Sequence, residues 1–486
     1  MRETFAIIRT VSHISALFCL IIATAMILPA LVDLAEGNDD WKIFATSAFL
    51  VGAVGALVTT ATRGEPIRFN ARLGFMLVAS VWTVTTLAGA LPLYFSSAGV
   101  SFAGAVFESM SGLTTTGATV ISGLDGLPPG ILLWRSLLHW IGGIGIVVMA
   151  ILVLPQLRIG GLALFQMESS DKSDKVLPRV SQLAAGLTAA YVALTLACAI
   201  TYAALGMGVF DATNHAMATI STGGFSTYDT SLGFFRDNRI LVAATVFMLL
   251  GSLPFVIYIR AFLPRRFQRW RDPQIPLFLA LCLVLSLAIA VSRRLIEGTP
   301  FGEALISASF NLVSVISTTG FVSEDYSLWS NAAIGLFFLA MFLGGCAGST
   351  AGGIKANRLV ILYKLVDSSF RRLVRPHAVI RLRYGENEIQ PQTVQAVTIF
   401  FFLYFAVLLV GTVILGMLGL DLLTAFSGTL TCLSNVGPGL GPIIGPAGNF
   451  SSLADAQLWV LTAIMLLGRL EIVTVVILFL PSIWMR

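Results

Sequence analysis

Charge is what this sequence has least of. Lys, Arg, Asp and Glu make up 11% of the 486 residues, while 56% are hydrophobic. A soluble protein of that length needs far more polar surface, so lipid must be the solvent for most of these side chains. Histidine and cysteine are also scarce. The four histidines (His13, His139, His215, His377) and five cysteines (Cys19, Cys198, Cys282, Cys346, Cys432) each stand alone among apolar neighbours. No CxxC pair, disulfide framework or metal-ligand spacing is present, and buried structural places suit them all. No paired carboxylates at catalytic spacing and no nucleophile motif mark an enzyme. Gly143-Ile-Gly145 lacks the rest of a dinucleotide site. In the run from Gly348 to Lys355, Ile354 separates Gly353 from Lys355, which breaks the ending a phosphate-binding loop requires. No organic cofactor is therefore expected. The net charge of +5 does not point to nucleic acid, because the basic residues lie in short loops between apolar segments.

What is present in abundance is apolar length. Stretches of the roughly 20 residues that span a bilayer fall near 5–32, 43–62, 73–95, 131–155, 181–207, 239–260, 274–292, 330–354, 391–420 and 457–481. They predict an all-α polytopic membrane protein with ten transmembrane helices. The first is too long for a signal-peptide core and has no small-residue cleavage site, so it reads as a retained anchor. Arg63, Arg68 and Arg72 follow the second span, and Arg158, Lys172, Lys175 and Arg179 the fourth. Arg260, Arg265, Arg266, Arg269 and Arg271 follow the sixth, and the most basic stretch, 355–383, follows the eighth. These loops alternate correctly to lie in the cytoplasm with both termini. The acidic loop 33–40 then falls outside, while Arg293 and Arg294 break the rule.

The outer loops of spans three to ten share a short apolar stretch, too brief to cross a bilayer, that ends in Ser/Thr and Gly. They read ESMSGLTTTG (108–117), NHAMATISTG (214–223), NLVSVISTTG (311–320) and GTLTCLSNVG (428–437). Each lies between two spans, so the repeating unit is helix, half-helix, glycine turn, helix. The chain then divides into a two-helix segment, 1–72, and four repeats, 73–157, 158–272, 273–390 and 391–486.

Non-helical backbone at membrane depth survives only where protein buries it or water reaches it. Four such segments in one chain suggest one shared aqueous axis. A half-helix descending from outside points its partially negative C-terminal end at the membrane centre, which favours a cation. The residues after it can turn carbonyls inward and replace an ion's water shell. Glycine lets the chain visit positive φ cheaply, and Thr115, Thr116, Ser221, Thr222, Thr318 and Thr319 add hydroxyl oxygens. One such loop alone would read as small residues packing helices closely. Four at the same topological position favour a cation filter. Glu108, Asn214 and Asn311 share one offset, nine before their glycines, and are candidate supports for it. A solvated outer-mouth position is the other reading. Arg135 and His139, one turn apart, either support the first loop or snorkel to the interface.

These four loops, the preceding helix pair and the run GGCAGSTAGGIK (344–355) resemble the Trk/Ktr/HKT superfamily of potassium transporters, and within it the bacterial Trk-type membrane subunit. The resemblance covers the whole chain. It implies four M1–P–M2 repeats around a pseudo-fourfold pore. The filter would be formed by Thr115, Thr116 and Gly117; Ser221, Thr222 and Gly223; Thr318, Thr319 and Gly320; and Asn435, Val436 and Gly437. Potassium would be held at Thr116, Thr222, Thr319 and Val436. It also implies a bacterial inner-membrane homodimer with a docked cytosolic ring of nucleotide-binding regulatory subunits. The basic cytoplasmic surface would suit such a partner or anionic lipid. The loops depart from the TVGYG pattern of potassium channels. Only 435–439 comes near it, so weaker discrimination among K⁺, Rb⁺ and Na⁺ is expected.

The eighth span stops being an ordinary helix at Gly344. Gly344, Gly345, Gly348, Gly352 and Gly353, with Ser349 and Thr350, cannot remain stably helical. Beneath a filter such a loop is a natural gate, the role the resemblance implies for it together with Lys355 and Arg469. A tight packing seam is the competing reading. Arg469 lies in the middle of the tenth span, with Glu471 at the wrong spacing for a same-face pair. Facing the path, its charge would oppose cation passage. The alternative is a structural ion pair with another helix. A cation-coupled secondary transporter is the rival function. Such proteins typically carry inverted repeats or a midplane site on broken helices, whereas these four repeats share one orientation.

Overall fold

In hydrocarbon every backbone N–H and C=O must be paired within the chain, so uninterrupted apolar runs become helices. The computed structural model describes residues 2–64, 70–152, 176–261, 272–377, 380–385 and 387–481. Among these, seven helices are long and apolar enough to cross a membrane, and an eighth span, Asp455–Arg469 with Ile472–Phe479, is bent by 112°. The protein is therefore a multi-pass, mostly helical membrane protein.

The N-terminal pair is α1 (Arg2–Ala25), continued by α2 (Ile27–Glu36), and α3 (Trp41–Ala61). The first repeat holds α4 (Ala71–Phe95), α5 (Phe102–Leu113) and α6 (Pro129–Leu152). The second holds α7 (Val176–Ala204), α8 (Val209–Ile220), α9 (Asn238–Gly251) and α10 (Val256–Ala261). The third holds α11 (Gln274–Ser292), α12 (Phe301–Ile316), α13 (Asn331–Ala340) and α14 (Ala356–Val374). After a two-stranded hairpin, β1 (Arg383–Tyr384) and β2 (Asn387–Glu388), come α15 (Pro391–Met417), α16 (Leu422–Ser434), α17 (Asp455–Arg469) and α18 (Ile472–Val476).

The short helices α5, α8, α12 and α16 have 12 to 16 residues, about 18–24 Å at 1.5 Å per residue, less than a bilayer core. Each packs between the long helices of its own repeat and the second helix of a neighbour. Helix α6 carries α8, α9 carries α12, and α17 carries α5. Phe338 of α13 stacks on Phe426 of α16, with ring centroids 5.6 Å apart. The neighbour relations thus run once around the bundle and close.

Three apolar runs that read as single spans are not continuous. The run 239–260 breaks after Gly251, where Pro254 cannot supply the next helical N–H. The run 330–354 ends as helix at Ala340, four residues before Gly344, and stays non-helical until Ala356. The run 457–481 breaks at Leu470 and Glu471, and Glu471 has φ +66°. The helices before the three breaks run 14, 10 and 15 residues. The basic loops 158–175 and 262–271 lie outside the described residues. Arg293, the exception to the charge rule, is neutralised where it stands. It pairs with Glu297 (3.0 Å) and Glu324 (2.9 Å) and lies over the Trp329 ring.

Candidate ion pathway

Each short helix ends in one and the same turn. The N–H groups of Thr115, Thr222, Thr318 and Asn435 donate three residues back, to Gly112, Thr219, Val315 and Cys432. The next N–H, of Thr116, Gly223, Thr319 and Val436, donates five back, to Ser111, Ala218, Ser314 and Thr431. This is a Schellman-type ending with the left-handed residue inside it. The left-handed residues are Thr115 (φ +51°), Thr222 (φ +53°), Thr318 (φ +56°) and Asn435 (φ +55°), three of them β-branched and all fully buried. Two residues on, each chain again takes positive φ, at Gly117, Gly224, Gly320 and Gly437.

The second loop thus corrects the sequence alignment by one residue. Gly224, not Gly223, is the equivalent of Gly117, Gly320 and Gly437. Gly223 stands where the other loops have Thr116, Thr319 and Val436. Thr222, expected among those three from the sequence, belongs with the left-handed residues. The same shift moves the support position. Glu108 accepts from Val120 N (2.9 Å) and Thr119 Oγ1 (2.9 Å), and Asn311 bonds the backbone and side chain of Ser323. In the second repeat His215 takes that place, bonding Ser226 Oγ at 2.9 Å. Asn214 only donates to Phe210 O of its own helix. Gly428, at the matching position of the last repeat, has no side chain for this.

The four turns meet. A Cβ on Gly117 would strike the carbonyl oxygen of Gly223, and one on Gly224 that of Thr319. One on Gly320 would strike that of Val436, and one on Gly437 would lie 2.8 Å from that of Thr116. Each glycine therefore leans on the next loop's carbonyl, and the fourth closes on the first. The order of contact is that of the repeats. A collar holds the ring from outside. Arg135, fully buried, pairs with Glu108 (2.8 Å), donates to Ser226 O (3.0 Å) and lies 4.1 Å over the Phe225 ring. His139 Nδ1 bonds Gly112 O at 2.8 Å, and its ring fills the space that Gly223 leaves empty. Burial at that depth excludes snorkelling for both.

Directly against this ring lies the glycine-rich run. Its backbone is paired with the break after Gly251: Cys346 N donates to Ser252 O and Phe255 N to Gly348 O, both 2.9 Å. Thr350 Oγ1 donates to Ile220 O and Gly251 O, 3.0 Å each, and accepts from Thr222 Oγ1 at 3.2 Å. Gly352 N donates to Thr318 Oγ1 at 2.6 Å. Two of the four left-handed side chains thus hold the loop in place. Gly344 is crossed by Gly352 and Gly353, and Gly345 by Ala351, at distances only glycine allows. Lys355 Nζ donates to Ala351 O, tying the end of the loop back on itself.

Arg469 is 5% exposed and donates from Nη1 to Thr350 O at 2.9 Å. Its Nε and Nη2 find no partner among the described residues. Glu471 pairs instead with Arg358, which also lies over the Phe400 ring. The spacing argument against an Arg469–Glu471 pair holds. Gly348, Gly352, Lys355, Arg358, Arg469 and Glu471 line a small cavity with about 40 Å³ of room for water centres, enough for at least one water.

Membrane-length helices, four buried polar turns that touch in cyclic order and a glycine-rich loop packed against them define a polytopic membrane protein with a polar interior. A family model described as "Cation transport protein", TrkH, matches residues 41–485. The Trk system potassium uptake protein TrkI of Halomonas elongata is 40% identical over 470 residues, covering 96% of this chain and 95% of that protein. The Trk system potassium uptake protein TrkH of Escherichia coli is 36% identical over 483 residues, covering 98% and 99%. The crystal structure of the potassium transporter TrkH from Vibrio parahaemolyticus superposes with a TM-score of 0.91 at 36% identity, covering 98% of this chain and 99% of that one. The chain belongs to the TrkH family of cation transport proteins, which are transporters and not enzymes.

Proposed function

We propose that this chain is the channel-like, pore-forming subunit of a potassium-uptake system, with four re-entrant loops as its filter and 344–355 as its gate. One observation carries the reading. The carbonyls of Thr116, Gly223, Thr319 and Val436 occupy equivalent positions in four turns that touch in cyclic order. A ring of backbone dipoles of that kind can replace the hydration shell of a bare alkali ion. The identity of the ion rests on relatives named as potassium uptake proteins.

The gate reading is supported by loop contacts to Thr222 and Thr318 on the filter and by Arg469 beneath them. A guanidinium without a carboxylate opposes a cation in low dielectric, because little water screens it. On this reading the chain divides into the two-helix segment 1–72 and pore repeats at 73–157, 158–272, 273–390 and 391–486. Ten membrane passages result if each broken second helix counts as one. The loops after Ala61, Leu152 and Ala261 and the basic stretch 355–383 then face the cytoplasm with both termini, in a bacterial inner membrane. The same reading includes a homodimer and a cytosolic nucleotide-binding partner at the basic surface.

The test is growth and Rb⁺ uptake in cells stripped of their own potassium uptake. Expression of the chain with its cytosolic partner subunits should restore both at low external potassium. Expressed, correctly inserted protein that restores neither would remove the reading.

A further inference from the structure

Five of the residues from Gly344 to Gly353 are glycine, so beyond Thr350 the loop's position depends heavily on what its backbone N–H groups find. Most find other backbone: Cys346 N meets Ser252 O, Thr350 N meets Gly251 O, and Ile354 N meets Phe342 O. Among the described residues, two side chains outside the loop accept from it. One is Thr318 of the filter. The other is Gln274, whose Oε1 accepts from Ala347 N at 2.8 Å.

Gln274 is the first residue of α11, an otherwise strongly apolar helix, and is 1% exposed. Its other end is also occupied, since Nε2 donates to Asp272 Oδ2 at 2.6 Å. Asp272 Oδ1 in turn accepts from Tyr384 Oη at 2.6 Å. Tyr384 sits in the β1–β2 hairpin, buried with Val360, Ile361, Ile389 and Val397. Val360 and Ile361 belong to α14, the helix that begins where the loop ends. The hairpin therefore holds the loop from both sides. It packs on the helix that follows the loop, and it reaches Ala347 through Tyr384, Asp272 and Gln274.

We propose that Gln274 is a positioning residue for the gate, the inner link of a hydrogen-bonded relay through which the Tyr384 hairpin keeps the loop closed. The proposal rests on the gate reading above. A bond from a buried amide oxygen to a backbone N–H costs most when one partner alone is removed, because the other stays buried and unpaired. Loss of the Gln274 oxygen strands Ala347 N in the closed loop, and opening relieves it. Displacing the hairpin has the same effect by drawing Asp272 and Gln274 away.

The experiment measures Rb⁺ flux and the Rb⁺/Na⁺ ratio in proteoliposomes holding the full-length wild-type chain, Gln274→Leu, Tyr384→Phe or both. Gln274→Leu should raise basal flux on the order of tenfold with the Rb⁺/Na⁺ ratio unchanged, since the filter is untouched. Tyr384→Phe, a milder change that keeps the buried ring and removes only its hydroxyl, should raise it less, and the double variant should match Gln274→Leu alone. Damage to folding lowers flux, so a rise separates gating from structure. Unchanged or reduced flux in correctly folded Gln274→Leu overturns the positioning role, and fully additive effects overturn the relay. Those outcomes leave wild-type conduction standing. Wild-type protein that carries no Rb⁺ overturns the transport reading and this one with it.

Discussion

Alanine at Gly224 and alanine at Gly223 separate two registers for the second loop. At Gly224 the backbone has φ +83°, and an added Cβ collides with the Thr319 carbonyl oxygen of the next turn. The left-handed conformation costs an L-residue about 1–2 kcal/mol, and overpacking a filled site adds about 1–3 kcal/mol. Backbone cannot swing away as a flexible side chain does, so the Thr319 carbonyl must move or turn. At Gly223 φ is ordinary, and the added Cβ meets the His139 ring behind the loop at 2.5–2.7 Å. That substitution strains the collar and costs stability without touching a ring carbonyl directly. A shift of 1.4 kcal/mol in the relative energy of two ions is tenfold in preference. Gly224→Ala should therefore lower the Rb⁺/Na⁺ permeability ratio by about tenfold or more, as Gly117→Ala and Gly320→Ala should, while Gly223→Ala mainly lowers the melting temperature. Bi-ionic reversal potentials in planar bilayers read the ratio, and thermal unfolding in detergent reads the stability. If Gly223→Ala erased selectivity while Gly224→Ala kept it, Gly224 would not be the equivalent of Gly117 and Gly320.

Three further outcomes follow from named contacts. Glu108→Gln leaves Arg135 buried beside a neutral partner, and breaking a buried pair costs about 3–5 kcal/mol. The melting temperature should fall sharply, and Glu108→Gln with Arg135→Met should recover part of the loss. Equal losses in the single and double variants would mean the pair is not what holds the collar. Thr318→Val keeps the shape but removes the oxygen that accepts from Gly352 N, stranding a donor worth about 1–3 kcal/mol. Basal Rb⁺ flux should rise, and a flux equal to wild type would show that the loop does not depend on this bond. Arg469→Ala removes the guanidinium at Thr350 O and should also raise basal flux. Unchanged or lost flux at normal expression would count against a barrier role.

The repeat was legible because it is carried by composition. Four apolar stretches too short to span, each ending in hydroxyls and glycine, recur between long apolar runs, and the structure brings all four to one place. The register of the second loop was not legible. Gly223 and Gly224 are adjacent, and the sequence offers no means to tell which of two glycines takes positive φ. The signal lay one step away. His215 stands nine residues before Gly224, as Glu108 and Asn311 stand nine before theirs, but Asn214 resembles Asn311 more and drew the alignment. The breaks after Gly251 and at Glu471 were hidden for a different reason. Apolar runs persist through them, and a helix that bends inside protein leaves no hydropathy gap. Pro254 was the one local sign. Arg135 and His139 were undecided from sequence because an arginine near a helix end can reach water or a buried carboxylate, and only the position of Glu108 decides it.

The left-handed residues are where the ring of turns and the glycine-rich loop join. Glycine or asparagine would end these helices at little cost, and the fourth loop uses Asn435, whose side chain donates to Thr116 Oγ1 (3.0 Å) and Met465 O (3.1 Å). The other three carry threonine, at roughly 1–3 kcal/mol of backbone strain each. In the second and third loops the strained threonine is the residue that meets the glycine-rich loop, through Thr350 and Gly352. In the first, Thr115 Oγ1 has no partner among the described residues, and no loop residue bonds to it. Strain is thus retained at equivalent positions whether or not the loop touches them. Its common product is the backbone turn that sets the following carbonyl against the glycine of a neighbouring loop. The hydroxyls then serve a second purpose where the loop arrives. A glycine at Thr222 or Thr318 would relax the turn and release the loop together, and the two effects would separate only at Thr115, where relaxation of the turn acts alone.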